Sequence, residues 1–213
     1  MSHVIAVLNT KGGAGKSTLA TNLARAFQRD GRSVLIVDSD PQGTARDWRE
    51  TGGDIDLPAV FGVDRPTLDI DIPKVAHAFD VIVIDGAAKM TKMAVSAIKA
   101  ADLVLIPVQP SAADLWAVND LVDMIEARQQ LTDGRPRAAF VINRQILGTR
   151  LAGGVDEVLA SYGVPVLESR TSQRVAYSEA MAAGLTVLDY EPDGKAADEI
   201  RSLYNELKGY LDG

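Results

Sequence analysis

The sequence predicts an α/β protein, a single domain over residues 1–213 with a mostly parallel, twisted β-sheet and helices on both faces. Three observations carry this. Short runs rich in β-branched residues recur along the chain, stretches of helical periodicity separate them, and the runs are apolar throughout, as in strands covered on both faces. The first strand is "HVIAVLN" (3–9), followed by the helical "KSTLATNLARAFQRD" (16–30). There Leu19, Leu23, Ala26 and Phe27 recur at helical spacing and Gly31 supplies the stop. "SVLIVDSD" (33–40), "FDVIVIDG" (79–86), "DLVLIPV" (102–108) and "AAFVINR" (138–144) are the next strands. Helical patterns accompany them at about 90–100, at "AADLWAVNDLVDMIEARQQ" (112–130) and at about 150–161. A sixth short strand, "VPVLE" (164–168), precedes helices at about 172–183 and 194–211. No linker, repeat or low-complexity tract interrupts the alternation. In such sheets ligands gather at the carboxyl ends of the strands.

Composition narrows the chemistry. A length of 213 residues suits one substantial core, and 46% apolar with 24% charged and 5% aromatic residues is ordinary for an aliphatic-rich globular chain. The absence of cysteine excludes disulfides, thiol nucleophiles, iron–sulfur ligation and cysteine-based zinc sites. His3 and His77 are isolated, so no transition-metal site is expected. No basic segment leads into a long apolar stretch and no run approaches a membrane span, so a cytoplasmic location is the expectation. The net charge of −7 argues against a chain coated in positive potential, yet 14 of the 22 cations are arginine. Arginine favours bidentate phosphate contacts, which leaves room for a local nucleic-acid patch.

The sharpest motifs lie at strand ends. "LNTKGGAGKST" (8–18) places Gly15, Lys16 and Ser17 as a phosphate loop requires, with Thr10 where the first glycine is usual, between a strand and a helix. Backbone N–H groups and the helix N-terminus favour anions, Lys16 reaches terminal phosphates and Ser17 ligates magnesium, so a P-loop NTPase domain is the specific form of the fold. Strand two ends in Asp38, Ser39, Asp40, a pair of carboxylates suited to hydrated magnesium or to an attacking water. Strand three ends in Asp85, the arrangement of a Walker B aspartate.

"KGGAGKST", "VLIVDSDPQG" and "VIVIDG", with "LIPVQPSAADL", resemble the deviant Walker A ATPases, specifically the short ParA-like partition ATPases without an N-terminal helix-turn-helix. The resemblance runs from the first strand to about residue 190. It implies ATP and Mg2+ as cofactors, with the nucleotide held by Gly12, Gly13, Ala14, Gly15, Lys16, Ser17 and Thr18. Lys11 takes the place of the signature lysine that reaches the partner subunit's phosphates across an ATP-dependent homodimer. Lys11, Lys16 and Asp40 are the implied catalytic residues, Asp40 positioning the hydrolytic water. Ser17, Asp38 and Asp85 lie on the magnesium side. Asn143 resembles the adenine-edge contact, and a strand-end turn cap reads equally well. Pro107, Pro110 and Asp114 fall in the loop that shapes the dimer face, where Asp114 also suits an early helix turn.

The resemblance further implies a cycle: the dimer binds DNA without sequence preference, and a ParB-like or other cargo adaptor stimulates slow hydrolysis. Arg144, Arg150, Arg170 and Arg174 are the DNA candidates, with Lys195 and Arg201 behind them, and a nucleoid-associated protein is expected. The cargo class stays open between a plasmid, a chromosome origin and a protein assembly. A MinD-like membrane-cycling ATPase is the alternative, but "KAADEIRSLYNELKGYLDG" carries three cations against four acids beside its apolar stripe, which suits packing on its own domain better than anionic lipid, so no membrane partner is expected. A dethiobiotin-synthetase-like metabolic enzyme would leave Lys11 and "DSDPQG" without a purpose. Electron-carrying and metalloid-pumping relatives need cysteines, and a tyrosine kinase of this superfamily would show a C-terminal tyrosine cluster.

Overall fold

A computed structural model describes residues 2–88, 92–146 and 155–212. Six parallel strands form one sheet: β1 (His3–Val7), β2 (Val34–Asp38), β3 (Ala59–Gly62), β4 (Val81–Asp85), β5 (Leu103–Val108) and β6 (Arg137–Ile142), in the spatial order β3-β2-β4-β1-β5-β6. Helices α1 (Lys16–Arg29), α2 (Thr44–Thr51), α3 (Leu68–Val75), α4 (Lys92–Ala100), α5 (Ala112–Trp116), α6 (Asn119–Gln130), α7 (Val155–Ala160), α8 (Val175–Ala182), α9 (Val187–Tyr190) and α10 (Lys195–Asp212) lie between and after them.

The apolar runs become strands because both faces are covered. Along β1, Ile5 and Val7 pack into one core with Leu19, Leu23 and Phe27 of α1 and with α10, while Val4 and Ala6 pack into the other with Leu121 and Ile125 of α6. Burying such a side chain stabilises by about 1.5–3 kcal/mol, so a polar substitution on either face of β1 is costly. Helix α1 stops where Gly31 takes φ 82°, and the Arg32 N–H returns to the Phe27 carbonyl at 3.2 Å. Helix α10 buries Ile200, Leu203, Leu207 and Leu211 against the sheet, and the Tyr204 ring meets Phe27 edge-on at 5.0 Å. No described helix is long and apolar enough to cross a membrane.

Several elements differ from expectation, and α2, α3 and α9 lie where no helix is expected. The segment 164–168 is not a strand: it makes an isolated bridge, Phe140 to Val166, because Pro165 has no N–H to offer and the Glu168 and Ser169 N–H groups are taken by Glu206 at 2.8 Å each. The sixth strand is instead β3, a four-residue edge whose side chains are mostly exposed. The helix expected over 112–130 breaks after Trp116, where the Leu115 carbonyl accepts from the Tyr162 hydroxyl at 2.9 Å and the Ala117 carbonyl from the Thr10 hydroxyl. These two contacts tie the interrupted stretch to the loop after β1 and to Tyr162 after α7. Of the helix expected at 150–161, Val155–Ala160 is helical, and the earlier part lies outside the described residues.

Candidate nucleotide site

Strand β1 feeds a loop that turns through Gly13 (φ 79°) and Gly15 (φ 88°) into α1. Gly15 admits no side chain, since a Cβ there would lie 2.2 Å from Nδ2 of Asn143. That amide, buried at the end of β6, holds the loop from beneath: Nδ2 donates to the Ala14 carbonyl at 2.6 Å and Oδ1 accepts from the Thr171 hydroxyl. Gln109 Nε2 and Arg144 Nη1 donate to the Gly13 carbonyl at 2.8 and 3.1 Å. The Gly13 and Ala14 carbonyls are thus engaged by side chains, whereas the N–H groups of Gly12, Gly13, Ala14 and Gly15 have no hydrogen-bond acceptor among the described residues. A ring of free N–H donors at a helix start is an anion cradle.

The loop's two lysines diverge. Lys16, 6% exposed, donates from Nζ to the Lys11 carbonyl at 3.1 Å. Burial pushes its ammonium below the usual lysine range, against the pull of Asp85 and Asp40. Lys11 instead pairs its ammonium with the buried Asp114 carboxylate on α5 at 2.6 Å, and the Ser111 hydroxyl shares that oxygen. Thr10, in place of the usual glycine, uses its hydroxyl to tie the loop to the chain after α5.

Strands β2 and β4 lie side by side with Asp38 opposite Asp85. Asp38 is fully engaged: Oδ1 accepts from the Asp40 N–H at 3.1 Å, and Oδ2 from the Arg46 N–H at 3.1 Å and the Arg46 Nε at 3.4 Å. Asp40 sits half-buried in the following turn, with its Oδ1 accepting from the Gln42 N–H at 3.0 Å. Asp85 is wholly buried, and neither carboxylate oxygen has a hydrogen-bond partner among the described residues. Burial pushes its carboxyl up to about 7; the Ser17 hydroxyl pulls it down without reaching hydrogen-bonding geometry, Asp38 raises it further and Lys16 lowers it.

Beside the loop lies a cavity of about 860 Å³, lined by Gly15, Thr18, Asn143, Arg144, Arg174 and Tyr177 among others, a volume suited to a nucleoside. The structure therefore brings together Gly12 to Thr18, Lys11, Asp38, Asp40, Asp85 and Asn143. Of the four candidate DNA arginines, Arg144 lies against the phosphate loop, Arg174 is paired with Glu199 at 2.7 Å on the cavity wall, and Arg170 is paired with Asp156 at 2.8 Å. Arg150 lies outside the described residues. Arg46, Gln109 and Glu199 were not anticipated from sequence. For Arg46 a signal exists: a cation in the first turn of a helix opposes the helix dipole and calls for a nearby acid.

Fold and loop together define a phosphate-loop nucleotide-binding protein with two buried carboxylates, Asp38 and Asp85, on neighbouring strands. Within that class, the chain belongs to the CobQ/CobB/MinD/ParA nucleotide-binding domain family, whose model matches residues 5–187. It is 32% identical over 211 residues, 97% of this chain and 96% of the relative, to the maintenance of carboxysome distribution protein A of Halothiobacillus neapolitanus. It is 27% identical to the chromosome-partitioning ATPase Soj of Thermus thermophilus, covering 95% of this chain and 94% of that one. The fold matches that of Cyanothece McdA without nucleotide (TM-score 0.81, 16% identity, 99% of this chain and 100% of that one) and in complex with ATP (TM-score 0.78, 16% identity, 99% and 96%).

Proposed function

We propose that this chain is a ParA-type positioning ATPase that binds ATP with magnesium, dimerises on it, holds DNA without reading its sequence, and lets go when a cargo-bound adaptor accelerates hydrolysis. The observation that carries the reading is the divergence of the two loop lysines. Lys16 is turned into the loop, where it serves this subunit's own phosphates, while Lys11 stands at the rim, 40% exposed, on a carboxylate of α5. A part-exposed lysine held by a single carboxylate can exchange it for the phosphates of a second copy of the chain, and a lysine that meets the partner's phosphates makes ATP part of the interface.

The residues present fit a magnesium ion, because the orphaned, buried oxygens of Asp85 lie near the Ser17 hydroxyl at the start of α1. Ser17 and Asp85 would hold it, with Asp38 adding charge at one remove since its own oxygens are engaged. Bound there, the ion would neutralise charge on the terminal phosphates. Free N–H groups of the loop bind the phosphates, Lys16 offsets their charge, and Asp40, placed on the turn beyond β2, orients the attacking water. Asn143 and Arg144 brace the loop from the base side. DNA phosphates are proposed to meet the late arginines Arg150, Arg170 and Arg174, two of which already carry acidic partners. The cargo is a protein assembly or a DNA locus, the classes that the similar proteins serve by name.

The test is binding of the purified protein to non-specific double-stranded DNA with ATP, ADP or no nucleotide across a salt series, beside an anionic-liposome control. Binding with ATP alone that weakens with salt is the expected result. In Lys11→Ala, ATP-dependent dimerisation and DNA binding are expected to disappear together. A normal ATP-induced dimer in that variant would remove Lys11 from the trans role, and liposome binding without DNA binding would replace the reading with a membrane-cycling one.

A further inference from the structure

The turn that carries Asp40 is held by a residue that nothing so far assigns to hydrolysis. Arg46, in the first turn of α2, contacts both ends of the Asp38-Ser39-Asp40 segment: its own N–H and Nε meet Asp38 Oδ2 at 3.1 and 3.4 Å, and its Nη2 donates to the Asp40 carbonyl at 3.2 Å. The Asp40 N–H closes the same ring on Asp38 Oδ1 at 3.1 Å. The guanidinium lies in a slot left by two glycines. A Cβ on Gly43 would come 3.0 Å from its Nη2, and one on Gly62 would come 2.8 Å from its Cδ. Gly62 ends β3 directly opposite Asp38 in register, so the edge strand, the carboxylate and the arginine form one cluster. A cation here works against the dipole of α2, and the buried acid beside it supplies the compensation.

We infer that Arg46 is a positioning residue for ATP hydrolysis: it clamps the turn from Asp38 to Asp40 so that the Asp40 carboxylate is held in place when the attacking water is oriented. This rests on the proposed role of Asp40, and it deepens that role by naming what fixes the turn. Arg46 does not touch the nucleotide cavity, so ATP binding is not expected to depend on it. A water-orienting group misplaced by about 1 Å costs on the order of a hundredfold in rate, so loosening the clamp acts on kcat rather than on KM.

The experiment compares Arg46→Met, Arg46→Lys, Gly62→Ala and Asp40→Ala with the wild type. It reads kcat and KM for Mg-ATP and, in protein without nucleotide, hydrogen exchange of the Asp40 amide. Arg46→Met is expected to lower kcat about tenfold or more, to leave KM within about twofold, and to speed exchange of the Asp40 amide. Gly62→Ala keeps the arginine and crowds its slot, so it should move both readouts the same way by less, and it covers the case in which Arg46→Met folds poorly. Arg46→Lys, which keeps charge without the fork, should fall between Met and wild type. Wild-type kcat and amide protection in both Arg46→Met and Gly62→Ala would overturn the clamp, as would parallel losses in kcat and ATP affinity. Undiminished turnover in Asp40→Ala would instead overturn the role of Asp40, and the amide exchange would still report on whether Arg46 holds the turn.

Discussion

Asp38 and Asp85 are neighbours in register, both buried at the carboxyl ends of adjacent strands, and they are treated in opposite ways. Asp38 accepts from two N–H groups and a guanidinium. Asp85 accepts from nothing among the described residues at its carboxylate, although its main-chain carbonyl is held twice, by the N–H and the hydroxyl of Ser39 at 2.9 Å each. A buried carboxylate without donors is destabilising, so a fold that anchors the backbone of Asp85 and leaves its oxygens unspent is one prepared for a ligand. Asp38 spends its charge on the shape of the turn. Residue type alone makes the two interchangeable; their hydrogen bonds separate them, and it is on this difference that Asp85 is proposed to bind and Asp38 to position.

The largest effect expected from breaking this contrast is at Asp85. Asp85→Asn keeps the shape and removes the charge, and turnover of Mg-ATP should fall about 10–100-fold or more with a raised magnesium requirement. Titrating magnesium in a steady-state ATPase assay checks this; wild-type magnesium dependence would reassign the residue to the core. The same substitution should change stability in the other direction. An unfolded aspartate titrates near 3.9, against about 7 here. Between those values the folded chain binds a proton that the unfolded chain has lost, so this residue's contribution declines as pH rises from about 4 through about 7, and its full cost is present above that. In EDTA and without nucleotide, Asp85→Asn should therefore be the more stable protein at pH 8, by at most about 4 kcal/mol, with the difference shrinking towards pH 5. Urea unfolding at the two pH values measures it.

At Asp38 the expected outcome is milder in rate and reversed in stability. Asp38→Asn puts an NH2 group where one of the carboxylate oxygens faced donors, leaving a donor of Asp40 or Arg46 without its acceptor. Unfolding in urea should show a loss of about 1–3 kcal/mol at pH 8, with Arg46 being part-exposed and its share of the pair correspondingly discounted. Stability unchanged at both pH values would mean that the turn is held by something other than Asp38.

Much of this was legible in the sequence where the signal is local. Five of the six strands are continuous apolar runs covered on both faces, and the phosphate loop and its aspartates announce themselves by spacing within a few residues. Strand β3 was not legible, since Ala59, Phe61 and Gly62 lie exposed at the sheet edge and carry no burial pattern. Segment 164–168 read as a strand because Val164 and Leu167 are buried, a property that loops over a core share. The break between α5 and α6 is accompanied by contacts from Thr10 and Tyr162, which reach carbonyls there across 107 and 47 residues and leave no local signal. The site divides in the same way. Lys16 and Asp85 follow from motif and strand end, whereas the pairing of Lys11 with Asp114 and the slot of Arg46 beside Gly62 exist only once the sheet has brought β2, β3 and the β5–α5 connection together.

The smallest effect sharpens the contrast most closely, because it tests the anchoring of Asp85 rather than its charge. Ser39 is 2% exposed, and its hydroxyl donates to the Asp85 carbonyl alongside its own N–H. Ser39→Ala removes the hydroxyl and leaves the N–H contact, so the carbonyl keeps one partner and no buried donor is stranded. The loss should be about 0.5–1.5 kcal/mol, the net worth of one hydrogen bond. ATP turnover should stay within about twofold of wild type, since the carboxylate oxygens of Asp85 are untouched. Urea unfolding and a steady-state assay on the same preparation read both. A large fall in turnover with that small change in stability would show that Ser39 sets the direction of the Asp85 carboxylate through its main chain, and the line between the binding strand β4 and the positioning strand β2 would have to be drawn between Ser39 and Asp38.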